Sequence, residues 1–173
     1  MNYRIAEILT IFLMLIGLTK SINADELKPS DSHQFNFFSG VFDINTSSKK
    51  SSELFGIQHS NEDLFRDTFL GKLSPITGFM MTADSASYFY TGVQAEYKIG
   101  KLNLIPSFSP GLYSMGDGKD LGSPLEFKSE LQLSVDLLPG TKLGYSQSHL
   151  SNADLGATNP GADSYMFNFM KSF

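Results

Sequence analysis

Three side chains near the C-terminus have the types and the spacing that acyl transfer needs. His149 and Ser151 are separated by one residue, and Asp163 follows twelve residues after the serine. A serine hydroxyl is a weak nucleophile until a base within hydrogen-bond reach removes its proton. His149 is suited to be that base, and Asp163 to fix the imidazole tautomer and stabilise its protonated form. These residue types predict a serine esterase.

The three side chains can cooperate only if they share one face of the protein. Side chains alternate between the two faces of a β-strand, so odd-numbered residues of one strand lie together. His149 and Ser151 share the odd positions of segment 141–151 with apolar residues, and Asp163 shares the odd positions of segment 163–173 with Tyr and Phe. An antiparallel hairpin brings the loop ends of its strands opposite each other. We therefore predict that all three cluster on the apolar, outward face of such a hairpin.

The loop between these segments offers donors for an oxyanion hole. A tetrahedral intermediate needs N–H groups aimed at its developing negative charge. We expect these from the side chain of Asn152 or Asn159, or from the backbone of the Asn159-Pro160-Gly161 turn. A second His-Ser pair, His59-Ser60, is predicted to be a strand end without a catalytic role, because adjacent residues of a strand point to opposite faces.

The elements that must position these residues are β-strands. Alternation is clearest over 125–137, where apolar residues take most of the odd positions and polar residues all of the even ones. Two prolines in segment 101–114 predict local gaps in its ladder. Most segments reach the ~9–11 residues that a tilted strand needs to cross a bilayer. The eight predicted segments are about 34–44, 52–60, 70–81, 86–99, 101–114, 124–137, 141–151 and 163–173.

Short and long links alternate between these segments, apart from a longer connection at 61–69. Such alternation is typical of outer-membrane barrels. The small residues of the predicted inner face suit a narrow barrel, and the apolar faces are bulky throughout. The predicted fold is all-β, an eight-stranded antiparallel transmembrane β-barrel of outer-membrane type. A soluble barrel that holds lipid in an apolar cavity is the alternative.

The N-terminus predicts export. Residues 1–24 resemble a signal peptide, with Arg4 before an apolar stretch, although a short membrane anchor is an alternative. We interpret 25–33 as a flexible leader and 34–173 as the barrel. Removing residues 1–24 leaves 11 basic and 17 acidic residues, a net charge of −6, which argues against a nucleic-acid partner. There is no cysteine, and the three histidines lack metal-ligand spacing, so we predict neither a thiol nucleophile nor a histidine metal site.

The C-terminal motif resembles that of a known family. Residues 149–163 read HLSNADLGATNPGAD. This segment is similar to the signature of the lipid A 3-O-deacylase family (PagL type, often labelled acyloxyacyl hydrolase), with weaker matches upstream that extend the resemblance over roughly 52–173. One residue departs from the pattern, since the family acid is usually Glu and the aligned residue here is Asp163.

The resemblance implies a function as well as a fold. It implies an outer-membrane serine esterase that hydrolyses the ester-linked 3-hydroxyacyl chain of lipid A in lipopolysaccharide, with no required cofactor. His149, Ser151 and Asp163 would form the triad on the wall that faces the outer leaflet, and Asn159 or its neighbourhood would contribute to the oxyanion hole. Lys49, Lys50 and Lys119 are candidate contacts for lipid A phosphates. A monomer or a homodimer is expected, and a non-catalytic structural or adhesion barrel is the alternative.

Overall fold

Alternating apolar and polar residues produce antiparallel strands almost throughout the described chain. The computed structural model describes residues 32–44, 51–64, 66–68 and 70–173. A short 3₁₀ turn at Glu62–Leu64 interrupts the strands. The strands are β1 (His33–Phe42), β2 (Ser52–Asn61), β3 (Arg66–Thr68), β4 (Gly71–Thr82), β5 (Ser87–Ala95), β6 (Tyr97–Ile99), β7 (Leu102–Ser114), β8 (Leu125–Leu138), β9 (Thr141–Ser151) and β10 (Ala162–Ser172).

The strands close into a barrel. β1 pairs with β2 on one side and with β10 on the other, and β2 pairs with β4, so the sheet has no open end. β5 and its continuation β6 occupy one place in the ring, because both pair with β7. The short β3 lies beside one end of β4. The ring therefore has eight strand positions, which confirms the predicted eight-stranded antiparallel barrel.

One predicted strand is divided in the structure. The predicted segment 86–99 is interrupted at Glu96, which separates β5 from β6. Both carboxylate oxygens of Glu96 lie 2.6 Å from Lys142 Nζ on β9, across the barrel. The predicted ladder gap near a proline is also present, because β5–β7 pairing is absent between Tyr90–Gly111 and Val93–Phe108, and Pro110 lies in that interval.

The two faces of the wall have opposite character. On β8, Leu131 keeps 50 % of its surface exposed, whereas the neighbouring Lys128 is buried inside. Lys128 Nζ lies 2.8 Å from a carboxylate oxygen of Glu130 and 3.9 Å from the centre of the Tyr90 ring. Charges inside and bulky apolar side chains outside match a membrane barrel rather than a soluble one.

The two ends of the barrel differ in their connections. Two-residue turns at 100–101 and 139–140, each with a glycine at positive φ, lie at one end, together with the longer connection at 62–70. We call the other end, where β1 ends, β2 begins and segments 83–86, 115–124 and 152–161 lie, the loop end. No helix in the described part of the chain is long and apolar enough to cross a membrane. The predicted signal peptide and residues 25–31 of the predicted leader lie outside the described residues, and β1 begins at His33.

Candidate active site

The centre of the candidate site is a histidine–carboxylate pair on the outer wall. His149 on β9 is the direct cross-strand partner of Asp163 on β10. His149 Nδ1 lies 2.8 Å from Asp163 Oδ1. The side chains are 52 % and 35 % exposed, so both open to the outside of the barrel. A carboxylate bound at Nδ1 holds the proton there and leaves Nε2 as the basic nitrogen.

Ser151 lies close to this pair but makes no hydrogen bond with it. It is the last residue of β9, two positions after His149 on the same outward-facing row, and it is half-buried opposite Phe127 of β8. Ser151 and His149, both in the described part of the chain, share no hydrogen bond in this structure. Catalytic hydrogen bonds are often long before substrate binds and shorten in the complex. Because Asp163 occupies Nδ1, the serine must approach Nε2.

Gly161 packs against the basic edge of the imidazole. A Cβ atom at this position would lie 2.9 Å from His149 Cε1 and 3.2 Å from Nε2. Gly161 also has a φ of 59°, which side chains rarely adopt. The backbone of Gly161 therefore lies directly against the imidazole ring, and any side chain at this position would displace the ring.

Asn152 is turned away from the outer wall and anchors the loop. Its side chain is fully buried, and Nδ2 donates to the carbonyl oxygens of Leu121 at 2.7 Å and Thr158 at 2.8 Å. Its backbone N–H donates to Asn159 Oδ1 at 3.1 Å. The backbone N–H and both side-chain N–H groups of Asn152 thus already have acceptors, whereas an oxyanion donor needs a free N–H.

The loop segments 115–124 and 152–161 interlock beside the site. A Cβ on Gly122 would lie 2.2 Å from Thr158 O, and a Cβ on Gly156 would lie 2.2 Å from Gly122 O. The two backbones therefore approach as closely as only glycine allows. Asn159 is exposed, and its Nδ2 donates to Asp154 Oδ1 at 3.1 Å. This amide carries a second hydrogen that can point elsewhere.

A further contact joins the residues that follow β1 at the loop end to the site. The Ile44 N–H donates to the Asp163 carbonyl oxygen at 3.0 Å. Next to it, Lys119 Nζ lies 2.8 Å from the buried Asp43 Oδ1. Lys119, predicted as a phosphate contact, is therefore committed to an ion pair, whereas Lys49 and Lys50 lie outside the described residues.

Comparison with a family model decides the relationship of the chain. The model for lipid A 3-O-deacylase (PagL) matches residues 46–172. This chain belongs to the PagL family. The match covers the candidate triad, the loop that follows Ser151 and seven of the eight places in the barrel ring.

Solved structures agree with this assignment at the level of the fold. The crystal structure of the outer membrane enzyme PagL superposes with a TM-score of 0.61 and 18 % identity, over 81 % of this chain and 99 % of that chain. A transmembrane β-barrel designed de novo superposes with a TM-score of 0.52 and 11 % identity, over 86 % of this chain and 99 % of the design. A comparison with curated proteins finds no match. The fold is thus that of an outer-membrane barrel, and the PagL family is one of hydrolases.

The structure shows how Asp163, which stands where the PagL pattern usually has Glu, reaches the histidine. The shorter Asp side chain reaches His149 Nδ1 at 2.8 Å because the two residues are direct cross-strand partners. The sequence did not reveal the anchoring by Asn152 or the contact from Ile44, although the glycines at 122 and 156 were a signal of close backbone approach.

Proposed function

We propose that this PagL-family chain is an outer-membrane serine esterase that hydrolyses the 3-O-acyl ester of lipid A. The observation that supports this best is the His149–Asp163 pair on the lipid-facing wall, beside Ser151. Charged and polar side chains on such a surface are costly unless they serve a purpose. The substrate ester lies in the headgroup region of the outer leaflet, which the loop end of the barrel would face.

The proposed reaction uses the three side chains in turn. His149 Nε2 takes the proton of Ser151 Oγ as the oxygen attacks the ester carbonyl, and then gives it to the departing sugar hydroxyl. Asp163 holds the imidazole in the required tautomer and stabilises the imidazolium. A water activated by His149 then releases the acyl chain as a carboxylic acid and restores the serine.

The proposed oxyanion hole consists of Asn159 Nδ2 and the Gly161 N–H. Asn159 has one amide hydrogen left beyond its bond to Asp154, and Gly161 lies against His149. Asn152 would position both, because its N–H binds Asn159 and its side chain holds Thr158. Two donors aimed at the developing charge match the arrangement of known acyl transferases and hydrolases.

The location of the site predicts its surroundings in the cell. In this proposal, residues 1–24 act as a signal peptide for export, and insertion as a barrel puts the strands among outer-membrane lipids. Lipid A would reach Ser151 laterally, without leaving the membrane. Neither a metal nor an organic cofactor has a step in this mechanism, and a single chain carries every group that it uses.

A fluorophosphonate probe tests the serine chemistry directly. Such probes phosphonylate a serine that is activated by a neighbouring base. We expect the folded protein in detergent micelles to be labelled on the peptide that contains Ser151, as read by mass spectrometry. Ser151→Ala and His149→Ala should remain unlabelled, and Ser39→Ala, which removes another outward-facing serine, should be labelled as fully as the parent. Labelling that survives in His149→Ala would contradict the proposed base.

A further inference from the structure

The lipid-facing wall carries two polar side chains beside the triad that the mechanism does not use. Ser129 on β8 is the cross-strand partner of His149, and Gln147 lies two residues before His149 on β9. Both are exposed on the outer face, and neither side chain has a hydrogen-bond partner among the described residues. By contrast, Thr77 and Thr91, also on this face, lie within hydrogen-bond distance of each other.

Two stacked aromatic pairs flank these polar residues. On one side the rings of Phe108 and Phe127 lie 6.0 Å apart at an interplanar angle of 13°. On the other side the rings of Tyr145 and Tyr165 lie 5.7 Å apart at 22°. On the outward-facing row of β8, the small Ser129 lies between the bulky Phe127 and Leu131. Ser129 and Gln147 therefore form a small polar area next to His149 on an otherwise apolar part of the wall.

This polar area lies next to the proposed nucleophile. Phe127, two residues from Ser129, is the cross-strand partner of Ser151, so Ser129 and Ser151 are diagonal neighbours with Cα atoms about 7–8 Å apart. Ser129 and Gln147 are diagonal neighbours in the same way, through the Leu131–Gln147 pair. An acyl chain whose carbonyl carbon lies at Ser151 Oγ would carry its first few carbons over Ser129.

We propose that Ser129, supported by Gln147, binds the hydroxyl group of a 3-hydroxyacyl chain and so selects such chains over unsubstituted fatty acyl chains. This inference rests on the proposed esterase function. A hydroxyl two carbons from the ester carbonyl can accept from or donate to the serine hydroxyl, and the Gln147 amide offers both a donor and an acceptor. An unsubstituted chain would leave these groups without a partner in a lipid environment, which disfavours it.

Matched ester substrates test the selection. The barrel in mixed micelles would be given a 3-hydroxyacyl ester and the unsubstituted acyl ester of the same length, and kcat/KM measured for each. We expect the parent to prefer the hydroxylated ester by about tenfold, as for one or two hydrogen bonds. Ser129→Ala and Gln147→Leu should each reduce this preference by about fivefold, because each removes a hydrogen bond that only the hydroxylated ester can make. Ser39→Ala and Thr77→Val serve as controls on the same face.

Each outcome has a definite meaning. A preference that Ser129→Ala leaves at the parent value, in a folded and active variant, overturns the inference while the esterase function stands. Equal rates of the parent on both esters do the same. Hydrolysis of neither ester by the parent, in a protein that shows the heat-modifiable migration of a folded barrel, overturns the proposed function and this inference with it.

Discussion

The pairing of β9 with β10 sets the positions of the candidate catalytic side chains relative to each other. His149 and Asp163 are fourteen positions apart in the chain but are direct partners in the β9–β10 ladder, with Nδ1 and Oδ1 2.8 Å apart. The alternation of side chains along a strand and the geometry of an antiparallel hairpin were enough to predict that these two residues lie together. They could not predict that Ser151 makes no hydrogen bond with His149 in this structure, because that bond depends on side-chain rotation and not on strand register.

The acid of the triad gives the first residue-scale prediction. Asp163→Asn replaces an acceptor at His149 Nδ1 with an amide that can donate, which favours the wrong imidazole tautomer. We expect kcat on lipid A to fall by about 10²–10⁴-fold with little change in the stability of the barrel. Asp117→Asn, an exposed carboxylate change on another outer segment, should leave kcat unchanged. Full activity of Asp163→Asn would show that the carboxylate has no catalytic role.

Gly161 gives a second prediction at this scale. In Gly161→Ala the new methyl would lie 2.9 Å from His149 Cε1, at a backbone φ of 59° that disfavours alanine. We expect the imidazole to be displaced and kcat to fall by at least tenfold, measured by lipid A hydrolysis in micelles. Gly100→Ala, where the φ is 64° but no atom lies within 4 Å, carries the same backbone strain away from the site. Equal losses of activity in both variants would point to stability rather than to the imidazole.

At the scale of elements, the outer segments hold the site together from several sides. The 115–124 segment packs on the 152–161 loop through Gly122 and Gly156, and Asn152 bridges them from inside the barrel. Composition and turn chemistry predicted that these segments are loops. The pattern could not predict which loops touch each other, because that depends on the closure of the ring and on contacts distant in sequence.

Removal of the Asn152 side chain tests this arrangement. Asn152→Ala leaves the carbonyl oxygens of Leu121 and Thr158 without their donor in a buried place. We expect a loss of about 1–3 kcal/mol in the free energy of unfolding, measured by urea titration of the barrel in lipid vesicles, and lower activity. Asn159→Ala should reduce activity with a smaller loss of stability, because Asn159 is exposed. A stable, fully active Asn152→Ala variant would contradict the anchoring role.

For the whole molecule, polarity is distributed as a membrane requires. The apolar odd-numbered rows of β8, β9 and β10 face outward, and an ion pair with both side chains almost buried, Lys128 and Glu130, lies within. The alternation predicted the strands, their number and which face meets lipid. It did not predict the pairing of Lys142 with Glu96 inside the barrel, since that depends on which rows meet across the barrel.

The interior ion pair gives a prediction at this scale. Glu130→Leu leaves the Lys128 ammonium buried without its carboxylate, beside the rings of Tyr90 and Phe38. We expect a loss of about 3–5 kcal/mol in the free energy of unfolding. The double variant Lys128→Met/Glu130→Leu should recover most of it, because no unpaired charge remains. Urea titrations of the three proteins in vesicles measure both changes, and a double variant no more stable than Glu130→Leu would refute the explanation.

The most direct test of the account is the mass of lipid A in a bacterium whose outer membrane contains this protein. Lipid A would be extracted from cells that express the parent, from cells that express Ser151→Ala and from cells with neither, and analysed by mass spectrometry after both barrels are shown to be folded in the membrane. The account predicts the loss of one 3-hydroxyacyl mass with the parent only. Intact lipid A with a folded parent, or equal loss with Ser151→Ala, would contradict it.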